Sequence, residues 1–136
     1  MSATNRTPAA GFSLIELLVV LAIVATLVTL AYPDYRHYRL QALRSEGRSL
    51  LLELAARQEA SFAHSNRYLT DETDLRHLGL AVSSHGHYQA VVNEGPGGYR
   101  LLAIPRVHDP DCGTLSLDAL GSRSHSGQGD LKRCWG

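Results

Sequence analysis

The chain has 136 residues, enough for one modest domain, and its 13 basic and 13 acidic side chains give a formal net charge of zero. This balance excludes any argument for nucleic-acid or membrane-surface binding from global charge. The 2 cysteines, Cys112 and Cys134, both lie near the C-terminus. A bond between them would close a loop of about twenty residues, stabilise the fold by about 3 kcal/mol and persist only in an oxidising compartment.

An apolar segment begins close to the N-terminus, at Phe12, and ends at Ala31. As a helix it would be about 30 Å long, which matches the hydrocarbon thickness of a membrane, so we predict a transmembrane helix over residues 12–31. Residues 1–11 are small and polar, with Arg6 as their charged side chain, and resemble a leader that is cleaved before the apolar segment. An ordinary secretory signal is cleaved after that segment. The anchor would therefore remain in the mature chain.

Glu16 is the one ionisable residue in the apolar segment. A charged side chain near the middle of a bilayer costs about 2.5 kcal/mol or more, so we expect this carboxylate to have a partner. Ser13 and Glu16 also have the spacing of a capping box, in which both side chains bond free N–H groups of the first helical turn. The two roles do not exclude each other. An assembly role is the preferred interpretation, because a segment of membrane length follows directly.

Residues 11–18, Gly-Phe-Ser-Leu-Ile-Glu-Leu-Leu, resemble the class III signal of type IV prepilins and of the related pseudopilins of type II secretion. The resemblance implies that a prepilin peptidase cleaves between Gly11 and Phe12 and methylates the new amine of Phe12. It also implies that Glu16 neutralises the N-terminal amine of a neighbouring subunit during assembly. An ammonium and a carboxylate attract strongly at low dielectric, so such a pair would fix the register between helices.

The helical pattern continues beyond the anchor. Pro33 removes one backbone hydrogen bond, yet apolar spacing resumes at once, so we predict one helix over residues 12–64 with a bend at Pro33. In the pilins that it resembles, a proline at this place lies where the helix can melt locally. The predicted buried stripe comprises Tyr35, Tyr38, Ala42, Leu43, Gly47, Leu50, Leu51, Leu54, Gln58 and Phe62. The arginines predicted on a solvated face, or paired with neighbouring subunits or lipid head groups, are Arg36, Arg39, Arg44 and Arg48.

The orientation in the membrane has two opposing signals. More basic residues follow the anchor than precede it, and a count by the positive-inside rule would place the C-terminal part of the chain, which we call the head, in the cytoplasm. The cysteine pair and the leader pattern favour the opposite orientation. We therefore predict a single-pass protein of the inner membrane with its head in the periplasm before assembly, and a place in the pilus at the cell surface afterwards.

The head is predicted to comprise residues 65–136, with an antiparallel sheet packed on the helix. A polar loop from Asn66 contains a short helical turn at residues 73–78. Three strands are predicted, at residues 86–93, 99–105 and 114–117. A glycine-rich turn joins the first two into a hairpin, and residues 120–123 turn or continue the third. The residues predicted to fill the core are Tyr88, Ala90, Val92, Leu101, Ala103, Leu115 and Leu117.

The C-terminal segment extends the resemblance. The run Cys-Gly-Thr-Leu-Ser-Leu-Asp and a terminal Cys-Trp are similar to the minor pilins of the PilE group in gammaproteobacteria, and with the leader and the Tyr-Pro bend the likeness covers most of the chain. It implies an α+β type IV pilin fold, in which a disulfide between Cys112 and Cys134 bounds a loop that contacts partners. Residues 118–133 are rich in Ser, Gly and Asp, so this loop would be mobile without the crosslink.

Other chemistry has weaker support. His85 and His87 would face the same side of a strand and could bind a metal, but no further ligand has a suitable spacing, so a solvated strand end is the preferred interpretation. Arg123, Lys132 and Arg133 could bind DNA phosphates, although the sequence favours solubilising charge. No nucleophile elbow or triad-like segment is visible, so neither an enzyme nor a bound cofactor is expected.

These observations predict a minor pilin of a type IV pilus, which primes assembly or lies near the pilus tip and acts in adhesion, twitching motility or DNA uptake. Its expected partners are major and minor pilins, the prepilin peptidase, the inner-membrane assembly platform and, before assembly, the membrane. DNA is a less favoured partner. A pseudopilin of type II secretion is one alternative, disfavoured by the cysteine pair, and a DNA-binding competence pilin is another.

Overall fold

A single long helix dominates the computed structural model, which describes residues 11–136 except the side chains of Pro33 and Asp34. This helix, α1, runs Leu14–Ser65, so the prediction of one helix that continues past Pro33 is confirmed. It begins two residues later than predicted, because Ser13 caps its first turn. At its end, Asn66 has a φ of 54°, a left-handed conformation common after helices. The predicted leader, except Gly11, lies outside the described residues.

The chain divides into two structural units, residues up to His37 and Tyr38–Gly136. The first unit contains the apolar half of α1. The second contains the remaining half of α1 together with the sheet and the shorter helices, so this part of the long helix belongs to the head.

The connection after α1 is held to the helix by side chains. Gln58 donates to the carbonyl of Leu69 at 2.6 Å and accepts from its N–H at 2.7 Å. Tyr68 stacks on Phe62 and meets the edge of Tyr99, with ring centroids 4.6 and 4.9 Å apart. The short helix α2, Glu72–His77, follows close to its predicted place, with Asp71 as the N-cap.

An antiparallel sheet of four strands in sequential order completes the head. The strands are β1 Tyr88–Asn93, β2 Arg100–Pro105, β3 Leu115–Asp118 and β4 Arg123–His125, and a last helix, α3, spans Leu131–Trp135. The predicted hairpin of β1 and β2 is confirmed. The prediction of three strands is wrong, since residues 120–122 turn the chain back into β4. Asp118 stabilises this turn by accepting the N–H groups of Leu120 and Ser122 at 3.0 and 2.8 Å.

The core lies between the sheet and the head half of α1. All seven strand residues predicted for it are buried, and they pack against Leu50, Leu51 and Leu54. Gly47 allows the ring of Tyr88 to approach, since a Cβ there would lie 2.8 Å from that ring. The predicted stripe is wrong at its two ends, because the buried face of the helix extends only from Leu43 to Gln58. The stripe residues that are exposed instead are Tyr35, Tyr38, Ala42 and Phe62.

This α+β arrangement of a long N-terminal helix, a small antiparallel sheet and a C-terminal disulfide is the type IV pilin fold, as the resemblance implied. The elements follow from local patterns, because apolar residues recur with a helical period in α1 and alternate with exposed residues in β1.

Candidate functional site

The N-terminal end of α1 carries the predicted processing residues. Gly11 and Phe12 precede the helix and are exposed, Phe12 by 80%, so the peptide bond between them is accessible. The N–H of Glu16 donates to Oγ of Ser13 at 3.3 Å and to the carbonyl oxygen of Ser13 at 3.1 Å. One half of the predicted capping box is therefore formed. The roles of Gly11, Phe12 and Glu16 in processing and assembly stay predictions.

The apolar half of α1 exposes its side chains in every direction. Its large residues from Leu14 to Leu30 are between 49% and 78% exposed, and an 18-residue window of the helix is long and apolar enough to cross a membrane. A contiguous apolar surface of this size needs lipid or other apolar helices around it. Together with the prepilin signal, this supports membrane anchoring before assembly into a pilus.

Arg44 is buried in the head, so its predicted place on a solvated face is wrong. Its Nε and Nη2 donate to the two carboxylate oxygens of Asp109, each at 2.7 Å, and Asp111 lies 3.5 Å from Nη2. Burial by itself raises the pKa of Asp109, but the hydrogen bond and charge of Arg44 and the backbone N–H groups of Cys112 and Asp111 together outweigh burial and lower that pKa. Asp109 also accepts the N–H of Cys112 at 3.3 Å. This ion pair therefore joins α1 to the disulfide.

Glu46 and the segment before β1 form a second polar contact. Glu46 accepts hydrogen bonds from the hydroxyl of Ser83, from the N–H of His85 at 3.0 Å and from Nδ1 of His87 at 2.8 Å. Burial raises the pKa of Glu46, yet these bonds dominate and lower the pKa to about 2. The histidines precede β1 and bind a carboxylate of α1, which differs from the predicted solvated strand end. Among the residues whose side chains the structure describes, no cluster of three or more His, Cys, Asp or Glu could hold a metal ion.

The C-terminal segment is fixed by more than its crosslink. Cys112 and Cys134 form the disulfide that the resemblance implied. Gly127 and Gly129 donate to the carbonyls of Cys112 and Asp111 at 3.0 and 2.6 Å. A Cβ at Gly127 would lie 2.2 Å from the carbonyl oxygen of Asp111, so this close approach requires glycine. Glycines of the loop that was predicted to be mobile without the crosslink thus pack this loop against residues 111–112.

A cleft between α1, β4 and α3 collects positive charge. Its volume is about 250 Å³, and we call it the basic cleft; its lining residues are Ser45, Arg48, Ser49, Leu52, Arg123 and Trp135. The guanidinium of Arg123 lies over the Trp135 ring, 5.3 Å from its centroid. Lys132 and Arg133 are exposed on α3, and Arg133 pairs weakly with Asp111 at 3.9 Å.

The cations at the basic cleft differ from the buried Arg44 in their pairing. Within the described part of the chain, Arg48, Arg123 and Lys132 form no ion pair with a carboxylate, whereas Arg44 is neutralised by Asp109. The sequence had indicated Arg123, Lys132 and Arg133 but not Arg48, which is distant in the chain. A basic surface with unpaired guanidinium groups can bind phosphates, so this is a candidate nucleic-acid interface.

Comparison with family models gives two matches, which together cover most of the chain. Residues 6–32 match the prokaryotic N-terminal methylation motif. Residues 33–116, more than half of the chain, match the family described as type IV minor pilin ComP, DNA uptake sequence receptor. No curated protein and no solved structure matches the chain. These matches do not favour the pseudopilin alternative. The matched family is one of structural pilins and not of enzymes. The chain belongs to this family of type IV minor pilins.

Proposed function

We propose that this minor pilin binds DNA during uptake and that cations around its C-terminal segment make the contacts. The observation that carries the proposal is that Arg48 and Arg123 line one cleft beside α3, which carries Lys132, and that none of the three forms an ion pair with a carboxylate whose position the structure describes. Cations left unpaired by the protein are free to replace the counterions of DNA. The description of the family as a DNA uptake sequence receptor supports the same activity.

A local group of cations suffices for this function although the whole chain has no net charge. Each phosphate contact adds affinity through counterion release, and such contacts fix the register of a protein on the duplex. The acidic side chains at Asp109 and Asp111 are engaged by Arg44 and Arg133, which limits their repulsion of a nearby phosphate.

The path to the pilus is part of the proposal. A prepilin peptidase cleaves the accessible bond between Gly11 and Phe12 and methylates Phe12, while a single inner-membrane span holds the head in the periplasm. Glu16 then pairs with the N-terminal amine of a neighbouring subunit, and the apolar half of α1 exchanges lipid for the helices of other pilins. The pilus tip, where a minor pilin could meet DNA first, is the proposed place in the filament.

The test is binding of fluorescein-labelled duplex DNA to the full chain in detergent micelles, followed by fluorescence anisotropy at low salt. A variant with Arg123→Gln and Lys132→Gln should bind about tenfold or more weakly, because hydrogen bonds from charged groups to phosphates are lost. The matched control is Arg57→Gln with Arg67→Gln, which removes two exposed cations elsewhere on the head. Failure of the unaltered chain to bind, or equal weakening by the control pair, would overturn the proposal.

A further inference from the structure

The basic cleft brings together two guanidinium groups that come from opposite ends of the head sequence. Arg48 lies on α1 and Arg123 opens β4, and both line the same cleft. The hydroxyl groups of Ser45 and Ser49 add two hydrogen-bond donors, and no carboxylate is among the lining residues. Two guanidinium groups and two hydroxyls on one small concavity are donors suited to a single anionic group.

Trp135 borders this cleft, but its ring is not presented to a nucleic-acid base. The side chain is 7% exposed, and its indole N–H donates to the carbonyl of Ser124 at 3.0 Å. The guanidinium of Arg123 covers one face of the ring, and the neighbouring Cys134 is held by the disulfide. Stacking on a base requires an accessible ring face. The indole therefore acts as a rigid support for Arg123.

The opposite flank of α1 provides an internal comparison. A second cleft, of about 200 Å³, also includes Ser49, but its lining contains the carboxylates of Glu46 and Glu53 and no cation. A phosphate would be repelled there. The two clefts have similar volumes and share a serine, so the difference in charge alone directs an anion to the basic cleft.

We propose that the basic cleft holds one backbone phosphate of bound DNA between the guanidinium groups of Arg48 and Arg123, and that Trp135 positions Arg123 instead of stacking on a base. The inference rests on the proposed function and adds a contact from α1. It predicts that the two arginines act on the same phosphate, whereas Lys132 contacts a separate one.

The number of phosphates can be measured from the salt dependence of DNA binding. The logarithm of the association constant of the full chain in micelles is plotted against the logarithm of salt concentration, and each phosphate contact contributes about 0.9 to the slope. Arg48→Gln and Arg123→Gln should each weaken binding about tenfold at low salt. The double variant should lower the slope by about 0.9 in total. A decrease of about 1.8 would show two separate phosphates and overturn the shared contact.

The positioning role of Trp135 is tested by two substitutions. Trp135→Phe keeps an aromatic ring beneath Arg123 and should leave the salt slope unchanged, whereas Trp135→Leu removes the ring and should weaken DNA binding toward the level of Arg123→Gln. In the background of Arg123→Gln, Trp135→Leu should have no further effect on DNA binding. A further loss of affinity in that background would show a direct contact with DNA and overturn this role. The folded state of each variant is checked by its thermal unfolding.

The outcomes separate this inference from the proposed function. If the unaltered chain binds DNA and Lys132→Gln lowers the salt slope while the double variant of Arg48→Gln and Arg123→Gln does not, the phosphate site in the basic cleft is refuted and DNA binding remains. If the unaltered chain binds no DNA at low salt, both proposals fail. Arg57→Gln, a substitution on α1 outside both clefts, is the matched control for Arg48→Gln and should leave affinity and slope unchanged.

Discussion

The ion pair of Arg44 and Asp109 shows most clearly how the role of a charged residue depends on its partner. Their side chains are 1% and 3% exposed, so each charge has lost its water and depends on the other. Nη1 of Arg44 has no hydrogen-bond partner among the described residues, which makes the remaining bonds to Asp109 more important.

Removal of the Asp109 carboxylate should destabilise the head strongly. Asp109→Ala removes both short hydrogen bonds of the buried Arg44 and leaves it only the 3.5 Å contact with Asp111, and we expect it to lower the free energy of unfolding by about 3 to 5 kcal/mol. The matched control is Glu72→Ala, which breaks the exposed pair of Glu72 and Arg76, 3.6 Å apart, and should cost less than about 1 kcal/mol. Urea unfolding of the full chain measures both values. Similar losses in the two variants would contradict the dependence on burial.

Glu46 should make the stability of the head depend on pH. Its pKa falls from 4.5 to about 2 on folding, so its stabilisation is complete above pH 4.5 and is lost as the pH falls toward 2. A shift of this size corresponds to roughly 3 kcal/mol. Glu46→Gln should lower stability by about this amount at neutral pH and flatten the acid side of the profile, because the amide does not titrate. A difference in the free energy of unfolding between the two proteins that stays constant from neutral to acid pH would contradict this assignment.

At the scale of elements, the disulfide is one of two contacts that hold α3 on the head, the other being the Trp135 side chain. The bond between Cys112 and Cys134 spans a sequence separation of 22 residues, and both cysteines are fully buried. Its reduction should lower the free energy of unfolding by about 3 kcal/mol. Trp135 is the single tryptophan of the chain, so its fluorescence reports directly on release of α3. Equal unfolding midpoints with and without reductant would count against a structural role, and a variant with both cysteines changed to Ala serves as the control for effects of the reductant.

The elements that the sequence did not predict share a physical cause. β4 comprises Arg-Ser-His and has no apolar alternation, and α3 has only 5 residues. Neither β4 nor α3 has a local sequence pattern that distinguishes it from a loop. β4 exists because β3 offers an open edge beside a tight turn, and α3 is held by the disulfide and the Trp135 side chain.

At the scale of the whole molecule, Glu16 should separate insertion in the membrane from entry into the pilus. Glu16→Gln keeps the shape of the side chain and removes its charge, so we expect normal cleavage and insertion but about tenfold less protein in filaments, since the neighbouring amine loses its partner. Intact mass of the chain from cell envelopes and from sheared pili measures both steps, with a methylated Phe12 as the expected start. Glu53→Gln, an exposed change in the head, is the control. Equal amounts of the two variants in pili would contradict the pairing.

The sequence by itself determined the features that local patterns encode. The apolar run and the helical period predicted α1, the two strand-like runs and the glycine-rich turn between them predicted the hairpin, and the signal around Gly11 predicted the family. Only the tertiary structure decided what the charged residues do. Arg44 forms a hydrogen bond with Asp109, which is 65 residues away in the chain, and Arg48 lines the same cleft as Arg123. The energy of a charge depends on burial and on the nearest opposite charge, and both depend on segments that are distant in the chain.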